Sequence, residues 1–128
     1  MSEAEGFLAK AQESLASAED DHAKQRYNAC ARNVYYAAFQ AAIVALLLED
    51  IRPRQRWEHE FVRSEFGGRL VYRRKMYDAA FRTLLTRAFD RRVQGDYTRS
   101  TLKRRDVSGL VTEATLLLRL VKERHDNR

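Results

Sequence analysis

The chain has 128 residues, 45% of them apolar, and carries 24 Lys/Arg against 18 Asp/Glu for a net charge of +6. That length suits one domain with a sizeable core, and the apolar share excludes an intrinsically disordered chain. A single cysteine, Cys30, excludes an intramolecular disulfide, and one proline with five glycines favours long helices with few turns.

The first helix is predicted from Ser2 to His22, with Phe7, Leu8, Ala11, Leu15 and Ala18 recurring at three- and four-residue spacing. Its end, Glu19-Asp20-Asp21, opposes the helix dipole and is expected to fray. A second helix is predicted from Gln25 to Leu48. It is apolar on two sides, one stripe holding Tyr27, Cys30, Val34, Tyr35 and Ala38, the other Tyr36, Phe39, Ile43 and Leu47. Such a helix is expected at the centre of a bundle. Residues 49–60 contain Pro53 and read as a connection, and Trp57, Phe61, Val62 and Phe66 suggest a short apolar helical turn stopped by Gly67-Gly68. A third long helix is predicted from Leu70 to Arg92. The last starts near Arg104, capped by Ser100 or Thr101, and buries Val107, Leu110, Val111, Ala114, Leu117, Leu118 and Val121. The sum is an all-α, up-and-down four-helix bundle with a short extra helix between helices two and three, one domain over residues 1–128.

The start, MSEAEGFLAK, lacks the basic-then-apolar order of a signal peptide. The longest apolar run, Ala41 to Leu48, falls short of the roughly 18 residues of a membrane span and is assigned to the core. A cytoplasmic protein with no membrane partner is expected, and surplus apolar surface on helices two and four points to a homodimer. Cys30, inside an apolar stripe, reads as a small buried hydrophobe.

Charge is uneven. Residues 1–64 hold 8 Lys/Arg and 10 Asp/Glu, whereas residues 65–128 hold 16 and 8, and arginine outnumbers lysine 19 to 5. One reading is a solvated surface. The other is a polyanionic partner, nucleic acid or acidic protein, met by the second half.

The histidines, His22, His59 and His125, lie in separate segments without metal-ligand spacing, so neither a metal nor a cofactor is expected. Attention falls on the stretch from Phe89 to Arg99. Arg92 and Asp96 are four residues apart and pair if the helix continues; if Gly95 ends it, Arg91 and Arg92 merely complement the dipole.

Three segments together carry a resemblance. Arg26 to Ala42, with its early Tyr27-Asn28 and later Tyr35-Tyr36-Ala37-Ala38-Phe39, resembles the second helix of HEPN proteins. His59 before Phe61 and Phe66-Gly67 resembles the histidine and Phe-Gly segment of one HEPN subfamily, and Arg92-Val-Gln-Gly-Asp96-Tyr97 resembles its Arg-x-x-x-Asp-Tyr signature. The resemblance implies a four- or five-helix bundle, commonly a homodimer, often a toxin paired with a minimal nucleotidyltransferase antitoxin. Active members resemble metal-independent ribonucleases whose motif is an arginine, four to six residues, then a histidine. An attacking 2′-hydroxyl, a base and a cation suffice for that chemistry, and DNA lacks the hydroxyl.

Here the position expected for the histidine holds Asp96 or Tyr97. An aspartate among arginines is a carboxylate at neutral pH, a poor proton donor and weak base. Arg52 or Arg54 with His59, and Arg119 with His125, meet the spacing away from the family's junction. The candidate catalytic group is therefore Arg92, Asp96, Tyr97, Arg91 and His59, the last if it folds back toward Asp96. Tyr97 is also a candidate adenylate acceptor, or else a ring packed over the junction. The leading expectation is a toxin-like component that binds RNA and is a candidate for cleaving it without metal. Against it stands a non-catalytic module that docks a nucleotidyltransferase or binds nucleotides. A DNA-binding regulator is disfavoured because no helix-turn-helix spacing appears.

Overall fold

Ser2 opens the first helix, its hydroxyl accepting the Glu5 N–H at 3.1 Å. In a computed structural model covering residues 1–128, α1 spans Glu3–Ala23 and α2 spans Tyr27–Leu48. The acidic end of α1 does not fray. Asp20 pairs with Lys24 and Arg26, while buried Asp21 accepts from Arg26 Nε at 2.9 Å and Asn33 Nδ2 at 2.8 Å. These cations and donors offset the unfavourable dipole, and Gln25, at φ 62°, turns the chain into α2.

α2 is the axle of the bundle, packed by α1 on one side and by α4 (Leu84–Tyr97) and α5 (Arg104–Asp126) on the others. Its residues Ala37, Ala38, Ala41, Ala42, Ile43, Val44, Ala45 and Leu46 are all buried, the alanines letting neighbouring helices come close. By length and composition α2 does reach what a membrane span needs, but 67% of its most apolar window is buried inside the protein. Two apolar sides predicted a central helix, and the packing bears this out.

The third long helix is not one helix. α3, His59–Arg63, runs without a break into a π-helical segment, Ser64–Arg73. The rod ends where Lys75 takes the left-handed conformation, φ 53°. A 3-10 turn, Ala79–Thr83, follows, its Ala80 N–H capped by Asp78 Oδ1 at 2.9 Å, and only then does α4 begin. Gly67-Gly68 therefore does not stop the helix. Gly67 lies inside the π segment because a Cβ there would stand 2.7 Å from the Arg82 carbonyl oxygen of the 3-10 turn.

Gly95 does not end a helix either. α4 continues to Tyr97, and a Cβ on Gly95 would meet Leu102 Cδ1 at 3.2 Å and Asn28 Cα at 3.3 Å. The glycine serves the close approach of α4 to the start of α2. Asn28 Oδ1 accepts the Leu102 N–H at 2.9 Å, pinning the following connection to the same place. α5 starts at Arg104 as expected, but its cap is not Ser100 or Thr101. Lys103 holds the cap position and donates its N–H to Asp106 at 2.8 Å.

Candidate functional site

In α2, Arg32 is the sole charged residue among 22. One turn further along, Tyr35 and Tyr36 lie on the same side of the helix. Facing them, α4 presents Phe89, Arg92 and Asp96, and the start of α3 brings His59. Three elements far apart in the chain thus meet around the Tyr35 ring.

Asp96 is 12% exposed and is gripped by Arg32, which donates from Nη2 at 2.9 Å and from Nε at 3.2 and 3.3 Å to the two carboxylate oxygens. The carboxylate pushes the Arg32 guanidinium still further above its ordinary value. Arg92 Nε stands 3.8 Å from Asp96 Oδ2, beyond hydrogen-bonding distance, and this buried nitrogen has no acceptor. The Arg92 guanidinium instead lies over two rings, 5.2 Å from the Tyr35 centroid and 4.9 Å from the Tyr36 centroid. Its side chain is 22% exposed.

His59 lies on the other flank of Tyr35. Its Nδ1 and the Tyr35 hydroxyl share a hydrogen bond of 2.8 Å, and its ring stacks on Phe89 at 4.4 Å with an interplanar angle of 29°. Burial lowers the His59 pKa from its ordinary value, and the Arg63 and Arg92 charges lower it further, against Glu60 and Asp90, which raise it. At neutral pH the imidazole is neutral. Burial also pushes the Tyr35 phenol up to about 12, so it stays protonated. If Nδ1 carries the imidazole proton and donates to the phenol oxygen, Nε2 is left as a base without a partner in the chain.

The structure thus brings together three of the five sequence-predicted site residues: Arg92, Asp96 and His59. Arg91 turns away toward α5, donating to Gln94 Oε1 at 2.9 Å and standing 3.5 Å from Asp106. Tyr97 does not pack over the junction; it is 73% exposed and its hydroxyl makes no hydrogen bond within the chain. Sequence reasoning missed Arg32 and used Tyr35 and Tyr36 as core stripe and family helix without placing them in the site. The one available signal was a lone arginine in an otherwise uncharged helix.

The chemistry on offer is a neutral imidazole beside a pair of anchored guanidinium groups. No three His, Cys, Asp or Glu side chains converge as a metal-binding group. Such an arrangement handles an anion and a proton together, as a phosphodiester requires. No curated protein matches the chain. The family model described as HEPN domain matches residues 4–124, nearly the whole length. The chain belongs to the HEPN domain family.

Proposed function

We propose that this HEPN domain binds RNA at the Arg32–Asp96–Arg92 face and cleaves it with His59 as the base, with no metal required. The observation that carries the reading is the His59 imidazole, its pKa lowered by burial, held by Tyr35 within the same cluster as Arg92. In the reaction His59 Nε2 takes the proton of a 2′-hydroxyl, and that oxygen forms a bond to the adjacent phosphorus. The bond from phosphorus to the 5′-oxygen breaks, and the departing oxygen takes a proton from water. Arg92 and Arg32 steady the negative charge on the non-bridging oxygens. The products are a 2′,3′-cyclic phosphate and a 5′-hydroxyl, and His59 returns its proton to solvent. Asp96 acts as the anchor that holds Arg32, while the Tyr35 and Tyr36 rings carry Arg92, which suits an aspartate where a histidine was expected.

The test is incubation of the purified protein with total RNA and with single-stranded DNA, each with and without EDTA. RNA is expected to be cut in both conditions and DNA in neither, and Arg92→Ala is expected to abolish cleavage and any growth inhibition in cells. A protein that cuts no RNA, together with growth inhibition unchanged by Arg92→Ala, refutes the reading.

A second reading has its own support in the occupied state of Asp96. A carboxylate already gripped by Arg32 suits a structural lock, and exposed Tyr97 suits an acceptor for a group transferred by a partner. On this reading the chain is the toxin-like member of a toxin–antitoxin or defence pair in the cytoplasm, docked as a homodimer to a minimal nucleotidyltransferase that adenylylates Tyr97. A stable co-purified complex without nuclease activity, with an adenylate mass increment lost in Tyr97→Phe, favours it over the first.

A further inference from the structure

Away from Arg92 the molecule carries a second group of cations around an exposed ring. Tyr72, on the π-helical segment, is 57% exposed, and the Arg82 guanidinium carbon lies 4.0 Å from its ring centroid. The two face a cleft of about 590 Å³ that Lys75, Met76 and Tyr77 also line. Arg82 is shared with a second, polar cleft formed by Arg63, Ser64, Gly67 and Gly68, so the two adjoin.

The cations lining the Tyr72 cleft are not neutralised by carboxylates, whereas Arg63, in the adjoining cleft, is paired with Glu60. Arg82 has the Tyr72 ring as its partner, Arg73 donates to the Gly68 carbonyl at 3.4 Å, and Lys75 has no ion pair. Arg74, by contrast, is tied to Glu49 at 3.3 Å. The one acidic lining residue, Asp78, spends Oδ1 on the Ala80 N–H. An exposed ring backed by a guanidinium, with free cations beside it, matches the two things an unpaired nucleotide offers: a π face and a phosphate. Duplex bases are already stacked on one another and present no free face to the ring.

The placement relates this patch to the site described above. His59 and Tyr72 stand on one unbroken rod, thirteen residues apart. At a helical rise of about 1.5 Å per residue that is at most about 20 Å. Arg63 lies between them, lining the Gly67-Gly68 cleft and close enough to His59 for its charge to bear on the imidazole.

We propose that the Tyr72–Arg82 cleft is a stacking subsite for an unpaired base of single-stranded RNA, whose backbone Arg82 carries toward His59. The proposal rests on the RNA reading of the Arg92 site. The test is fluorescence anisotropy with a labelled 2′-O-methyl oligouridylate, which lacks the attacking hydroxyl and so is not consumed. Tyr72→Ala is expected to weaken binding about tenfold, and Tyr72→Phe to retain wild-type affinity. Arg82→Ala is expected to weaken binding and to flatten the salt dependence by about 0.7 in the log–log slope. Affinity for duplex RNA is expected to be insensitive to Tyr72→Ala. Unchanged affinity of Tyr72→Ala for the oligouridylate, in a preparation that still cleaves RNA, overturns the subsite and leaves the cleavage reading standing. Wild-type protein that binds no oligouridylate overturns the subsite whatever the cleavage assay reads, and absence of both binding and cleavage overturns the two together.

Discussion

Arg92→Met separates a functional arginine from a structural one. The substitution keeps an unbranched, partly buried side chain over Tyr35 and Tyr36 and removes the guanidinium. Two cation–π contacts at about 0.5–1 kcal/mol each are lost. The approach of Nε to Asp96 at 3.8 Å contributes at most about 1 kcal/mol, since Asp96 keeps its hydrogen bonds from Arg32. Against these losses stands the buried Nε without an acceptor, a group whose desolvation costs about 1–3 kcal/mol and which methionine lacks. The opposing contributions nearly cancel. Stability is expected to change by no more than about 1 kcal/mol, a shift of roughly 4 °C in Tm for a chain of this size. The proposed RNA cleavage is expected to fall by about 10²–10³-fold, the usual cost of removing one donor that stabilises developing negative charge. Guanidinium melts followed by circular dichroism and initial cleavage rates on the same preparation read both quantities. A stability loss above about 3 kcal/mol shows Arg92 to be a structural post, and unchanged cleavage shows the cluster to be inert; either refutes the reasoning.

Gly67→Ala is expected to destabilise the fold by about 1–3 kcal/mol despite the better helix propensity of alanine, because the new Cβ meets the Arg82 carbonyl oxygen at 2.7 Å; equilibrium denaturation gives the sign, and a stabilised variant refutes the close approach. For His59, NMR titration is expected to place the midpoint below 6.5, with Arg92→Ala moving it upward since the Arg92 charge is one of the causes of the shift. Because the folded value lies below the unfolded one, the contribution of His59 to stability is present above about pH 6.5 and is lost as pH falls through the depressed folded value. Cys30, buried and pushed up to about 11, is expected to react with a thiol reagent only after unfolding; rapid labelling of the native protein contradicts its placement.

The bundle was legible because periodicity reports which residues face the core. It does not report the path of the backbone between them. Tyr77, Phe81, Leu84 and Leu85 all reach the core, so the apolar row runs on across the break at Lys75 and the 3-10 turn and mimics one long helix. Gly67 reads as a stop and Gly95 leaves stop and continuation open for a related reason. A glycine that ends a helix and one that lets another segment come close look alike in sequence, and only Arg82 and Asn28, distant in the chain, tell them apart. In the site, the Arg92–Asp96 spacing was readable from the helix period alone. The arrival of His59 beside Tyr35, and of Arg32 on Asp96, depends on how α2, α3 and α4 pack, which no local spacing encodes.

The π-helical segment fixes the length of the chain as firmly as its composition. Each residue along a helix turns the next by a fixed angle, about 100° in an α-helix and less in the wider π turn, so deleting one residue between Ser64 and Arg73 would swing every later side chain around the axis. Leu70 and Val71, now buried, would rotate toward water, and Tyr72 would leave the Arg82 guanidinium. A stretch that in sequence reads as a glycine-broken connection thus absorbs no gap without moving Tyr72 off Arg82, and insertions or deletions belong instead to the exposed run from Thr98 to Thr101.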